Sequence, residues 1–174
     1  MENFSALASG FPILFYDNEN KLNLSEIRIM RDDFEILKSH YLGCFEIAHK
    51  VLKLLVGMIN VFIRGNADAF PNGKPKSLEN FTKLPNAQKP KFLDSNVFPE
   101  IASQWEICFD REIRNAIGHY EIRHDLRTGM LVLDDKNISI TYSEFVLRNL
   151  ELLPLILLCF HVVKKIYAIK IILG

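Results

Sequence analysis

The chain has 174 residues, enough for one compact domain with its own core, and it needs no disulfide staple. Hydrophobic residues make up 49% and charged residues 24%, which excludes a chain that is disordered over most of its length. Lys plus Arg number 21 and Asp plus Glu number 21, so the net charge of zero excludes a broadly basic protein that coats nucleic acid, though not a local phosphate site.

Residues 1–24 give no clear helix; FPILFY (11–16) reads as a short strand or an apolar arm and DNENK (17–21) as a turn. From Ser25 apolar positions recur at 27, 30, 34, 37, 41, 45, 48, 52, 55, 59 and 62. Steps of three and four predict one long amphipathic helix, or two with a bend near Gly43, stopping at Arg64–Gly65. Pro71, Pro75, Pro85 and Pro90 then break the pattern, and residues 65–96 read as a long irregular insert. It carries Lys74, Lys76, Lys83, Lys89 and Lys91 against Glu79. Such a run reads either as a solvated loop or as a local basic feature facing a polyanion.

A second helix is expected from Pro99, capped by Ser95 or Asn96, with Ile101, Trp105, Cys108, Phe109, Ile113, Ala116 and Ile117 as its stripe and an end near Gly118–His119. The segment EIRHDLRTG reads as a connection, and MLVL (130–133), DDKN and ISI (138–140) as a small hairpin. Thr141 and Glu144 form a capping box for a last helix that runs on to about residue 170 and that Pro154 should kink. Its stretch 152–163 is too apolar for a one-sided helix and is expected to be buried on several sides, with His161 a buried neutral ring. That stretch is shorter than the roughly 20 residues that span a bilayer, so a soluble cytoplasmic protein without membrane contact is expected. Cys44, Cys108 and Cys159 lie in helical patterns without a CxxC pair; they read as buried free thiols, and no metal or other cofactor is expected.

The densest polar cluster is DREIRNAIGHYEIRHDLR (110–127). At helical spacing Asn115 and His119 share a face, Arg114 lies beside it, and Ile117 packs away. Ala116 and Gly118 keep the neighbourhood low, leaving room for a partner helix or a substrate. A guanidinium pairs with a phosphodiester whose charge grows in the transition state. An imidazole moves protons near neutral pH. The 2′-hydroxyl of RNA is an internal nucleophile, so such a site needs no metal and yields a 2′,3′-cyclic phosphate and a 5′-hydroxyl. One Arg and one His make a thin kit; two-fold pairing would double it, one His serving as base and the other as acid.

RNAIGH, within EIRNAIGHYEI, resembles the Arg-x4–6-His motif of the HEPN superfamily, in its RNxxxH form, with Arg114, Asn115 and His119 matching position by position. The resemblance extends over residues 25–170, with the insert 65–96 and the hairpin as departures. It implies an all-α, up-and-down helical bundle forming one domain over 1–174, with a long first helix and the hairpin at 130–140 before the last helix. It further implies a homodimer acting as a metal-independent endoribonuclease in toxin–antitoxin, abortive-infection or antiviral defence, with Arg114, His119 and Asn115 as the catalytic set. Arg111, Arg123 and His124 would help to bind RNA, and a cognate antitoxin is a possible partner. The alternative is a non-catalytic HEPN-like module that binds RNA, a nucleotide or a protein.

Overall fold

The computed structural model describes residues 33–93, 97–133 and 136–173. The expectations for 1–32, for caps at Ser95 and Asn96, and for the turn at Asp134–Asp135 lie outside them. Among the described residues the chain forms five α-helices, α1 (Phe34–Arg64), α2 (Leu78–Thr82), α3 (Pro99–Cys108), α4 (Arg111–Gly118) and α5 (Tyr142–Leu173), and three strands, β1 (Ile122–Asp125), β2 (Met130–Leu133) and β3 (Lys136–Thr141). The fold is helical, with a long early helix and a small antiparallel sheet before the last helix, as expected.

The described residues divide into two compact units, one drawn from 33–44 and 108–153 and the other from 45–107 and 154–173, so that both long helices contribute to each. In the first unit Leu37 and Tyr41 of α1, Ile113 of α4, Leu131 of β2 and Phe145 and Leu152 of α5 are fully buried. Rings tile this core: Phe34 meets Phe145 at 6.0 Å and Tyr41 meets Phe145 at 5.7 Å, both tilted or edge-on as ring quadrupoles favour. The Thr141–Glu144 capping box forms at the start of α5. The Thr141 N–H donates to Glu144 Oε2 (2.7 Å), and the Glu144 N–H donates to Thr141 Oγ1 (3.1 Å).

The sheet has the order β1–β2–β3. Pairing of Ile122 with Leu133, His124 with Leu131, and Leu131 with Ile140 puts one apolar face inward. The expected hairpin is thus its second half. The segment read as a connection supplies β1, because its strand is only four residues long and alternates Ile122–Arg123–His124 too briefly to stand out.

In the second unit α1 buries Leu52, Leu55, Val56 and Ile59 and ends at Arg64. Gly65 follows at φ +77°, in the left-handed region that a helix stop favours, and donates to the Val61 carbonyl at 3.0 Å. Over the described residues 65–93 the insert alternates turns with short helical pieces and is held together by aromatic contacts. Phe70, Phe81 and Phe92 close on one another at 5.6–5.9 Å, and Phe81 is fully buried. Ser77 caps α2 by accepting the Asn80 N–H at 3.1 Å. A Cβ at Gly57 of α1 would sit 3.0 Å from Leu78 Cδ2, so the missing side chain lets the insert approach the helix. Three well-spaced Phe residues therefore fold a stretch whose prolines and lysines suggested a loop.

Two expectations for α5 are corrected. It runs unbroken from Tyr142 to Leu173 but buries one side only: Leu152, Leu155, Ile156, Cys159 and Ile166 face in, while Leu157, Leu158 and Phe160 are exposed. His161 is exposed as well, because it lies two residues, about 200°, beyond Cys159 on the helix. Over Tyr142–Ile172 α5 is long and apolar enough to cross a membrane, with a mean hydropathy of 1.9 in an 18-residue window of which 28% is buried. Core helices of soluble proteins share that length and composition but are mostly buried. The three cysteines are free and buried.

Candidate functional site

The second predicted helix breaks in two at Phe109–Asp110, and the break is what presents the motif. Asp110 turns out of helical geometry and caps α4, its Oδ1 accepting the N–H groups of Glu112 (2.8 Å) and Ile113 (3.3 Å). Its other oxygen, Oδ2, pairs with Arg148 of α5 at 3.2 Å. The buried Tyr41 hydroxyl sits 3.1 Å from both the Cys108 and the Asp110 carbonyl, one proton shared between two acceptors. Burial pushes the Tyr41 hydroxyl well above the usual phenol range, so it remains a donor. The start of α4 is therefore fixed from α1 and from α5.

From that anchor, α4 buries Ile113, Ala116 and Ile117. The opposite side carries Arg111, Gly118 and His119, all exposed, with Arg114 and Asn115 half-buried. Ile117 packs away from this face as expected. Ala116 is buried too, so only Gly118 leaves it open. The Arg114 side chain runs along the helix toward its C-terminus, with Nη1 3.7 Å from where a Gly118 Cβ would lie. The same Nη1 is 3.4 Å from Asn115 Oδ1, a long hydrogen bond. The His119 N–H donates to the Asn115 carbonyl at 2.9 Å, which seats His119 as the helix cap. Arg114, Asn115 and His119 thus share the outward half of a two-turn helix, and Arg111 stands one turn before Asn115.

The strand after α4 separates the remaining two candidates. On β1 neighbouring side chains point to opposite faces. His124 lies inward, stacked on Tyr142 with centroids 4.1 Å apart and 14° between the planes. Arg123 points to the other face and is exposed.

One residue at this site was not singled out in the sequence. The turn closing α4 is a Schellman motif: the Glu121 N–H reaches the Ala116 carbonyl (2.8 Å) and the Tyr120 N–H that of Ile117 (3.3 Å). Tyr120 occupies the left-handed position at φ +60° and is 88% exposed. Glycine is the usual residue there, and an L side chain costs about 1–2 kcal/mol. The sequence signal was present, since a helix ending at Gly118–His119 places Tyr120 where a glycine is expected.

Elsewhere in the first unit, α1 and α5 hold a polar relay. His40 Nδ1 lies 3.1 Å from Asn149 Oδ1, and Asn149 Nδ2 donates to the Phe145 carbonyl at 2.9 Å, which orients the amide. His40 Nε2 lies 3.6 Å from the Cys44 thiol. Burial lowers the His40 pKa and pushes the Cys44 thiol up to about 11, consistent with a neutral ring donating through Nδ1 and accepting S–H through Nε2. Cys108, with its thiol 3.7 Å from Glu151 Oε2, is raised to about 12 by burial and by that carboxylate. These thiols are poor nucleophiles. Among the described residues no three His, Cys, Asp or Glu side chains converge as metal ligands.

No protein-family model, curated protein or solved structure matches the chain.

Proposed function

We propose that the protein is a HEPN-like endoribonuclease that cleaves RNA without a metal, through a composite site at a homodimer interface, in the cytoplasm. The observation that carries this reading is the placement of Arg114, Asn115 and His119 on the open side of α4, above a buried Ile113–Ala116–Ile117 stripe.

The chemistry follows from the groups. One His119 imidazole takes the proton of the 2′-hydroxyl as its oxygen bonds to phosphorus. The P–O5′ bond breaks, and the second copy's imidazolium protonates the leaving oxygen. The Arg114 guanidinium meets the charge that builds on the non-bridging oxygens, and Asn115 holds that guanidinium. Arg111 extends the positive surface toward the next phosphate, and Arg123 is a further proposed contact, whereas His124 stacks inward on Tyr142 and supports the strand instead. The exposed Tyr120 ring offers an unstacked base a platform. The exposed apolar side of α5 supplies surface for a second copy, and a cognate antitoxin is a proposed partner that would cover the site.

The test is cleavage of single-stranded RNA in excess EDTA, with product ends analysed for cyclic phosphate. Arg114→Ala and His119→Ala are each expected to lose at least about a hundredfold in rate while keeping the far-ultraviolet circular dichroism of the parent. Full activity in either variant overturns the mechanism. RNA binding without turnover in the parent would point to the non-catalytic module instead.

A further inference from the structure

The second unit contains a cleft of about 290 Å³ that the α4 site does not use. One wall is a face of α1, where residues at helical spacing present Glu46, His49, Lys50 and Lys53. The facing wall comes from the insert, with Thr82, Asn86 and Lys89 around the buried Phe81 ring. Lys89 is only 9% exposed, and its Nζ donates to Asn86 Oδ1 at 2.8 Å. Among the described residues Lys50, Lys53 and Lys89 form no ion pair. An ammonium has three donors, and Asn86 takes one of those on Lys89.

We propose that this cleft binds a terminal phosphate monoester, on a free nucleotide or at the 5′ end of a nucleic acid. Three ammonium groups against the Glu46 carboxylate leave about two positive charges. A phosphate monoester brings about −1.5 to −2, whereas a backbone diester brings only one negative charge. Burying an ammonium that lacks an anionic partner is costly, and a phosphate oxygen supplies that partner. Thr82 and Asn86 add neutral hydrogen-bonding groups, and the buried Phe81 ring holds that wall in place. The three Phe contacts that fold the insert are what carry Lys89 to α1; the proline-rich segment is a built wall of this site. The proposal does not depend on nuclease activity.

Calorimetric titration of the full chain tests it, with adenosine 5′-monophosphate, a 5′-phosphorylated tetradeoxynucleotide and the same oligomer bearing a 5′-hydroxyl. DNA is chosen because it lacks the 2′-hydroxyl and survives an active nuclease. Both phosphorylated probes should bind saturably, and the 5′-hydroxyl oligomer at least about tenfold more weakly. Lys53→Gln and Lys89→Gln should each weaken the phosphorylated probes by about tenfold. Equal affinity of mononucleotide and oligomer identifies the free nucleotide as the source; a tighter oligomer identifies a nucleic-acid end. Equal binding of the two oligomers, or parental affinity in Lys53→Gln, overturns the proposal. Lys53 is on α1 and half-exposed, so its variant remains informative if Lys89→Gln fails to fold.

Discussion

Tyr120 is held in a conformation that its side chain disfavours, at the one position of the α4 turn where glycine is expected. Little of the ring is buried, so packing does not repay the strain. Tyr120→Gly should therefore raise the unfolding free energy by about 1 kcal/mol, read from chemical denaturation. If the ring stacks on RNA, the same variant should weaken RNA binding by about 1–3 kcal/mol. A variant that is more stable and binds RNA equally well would remove Tyr120 from the substrate path. His40 makes a second test at this scale. Its pKa is lowered in the fold, so between that value and 6.5 the unfolded chain binds more protons, and stability rises with pH across the window. Its contribution is complete above pH 6.5 and is lost as pH falls through the folded value, where a protonated ring would turn an N–H toward the Cys44 thiol. Thermal melts between about pH 5 and 7.5 should show this slope, and His40→Gln should flatten it; Glu151, raised by burial, contributes with the opposite sign from the ordinary carboxyl value of 4.5 upward.

The elements that the sequence revealed are those whose signal is local. The long repeat of apolar positions gave α1, Gly65 its stop, and Thr141 with Glu144 the start of α5, where both bonds of the box form. The break between α3 and α4 was missed because the apolar stripe continues through it: Cys108, Phe109 and Ile113 are all buried on either side. What decides the break is the Tyr41 hydroxyl, whose partner carbonyls lie 67 and 69 residues away in the chain. Asp110 followed by an acidic Glu112 was the only local hint of a new N-terminus. The insert failed for a similar reason, since its three Phe residues are too far apart to show a period and join only in space. Of the six candidate site residues, four share α4 or its cap because helical spacing is a local rule. His124 was separable from Arg123 only once the strand was known, since a strand sends neighbours to opposite faces.

For the whole molecule the open question is what meets the exposed side of α5. Leu157, Leu158 and Phe160 precede Lys164–Lys165, and Tyr167, Ile169, Ile171 and Ile172 follow, all exposed. If a second copy covers this side, each leucine is buried twice by symmetry. At about 1.5–3 kcal/mol for each buried leucine, Leu157→Lys should raise the dimer dissociation constant by a hundredfold or more, measured by sedimentation equilibrium. The lysine pair sets the salt response. It lies near the middle of the apolar run, so a two-fold axis through that run brings the lysines of the two copies near each other. Screening relieves their repulsion, and dimerisation should tighten from about 50 to about 200 mM salt. RNA binding must respond in the reverse direction, because phosphate contacts release counterions. A dimer that loosens with salt, or a chain that sediments with membranes after carbonate washing, would take α5 out of the dimer interface.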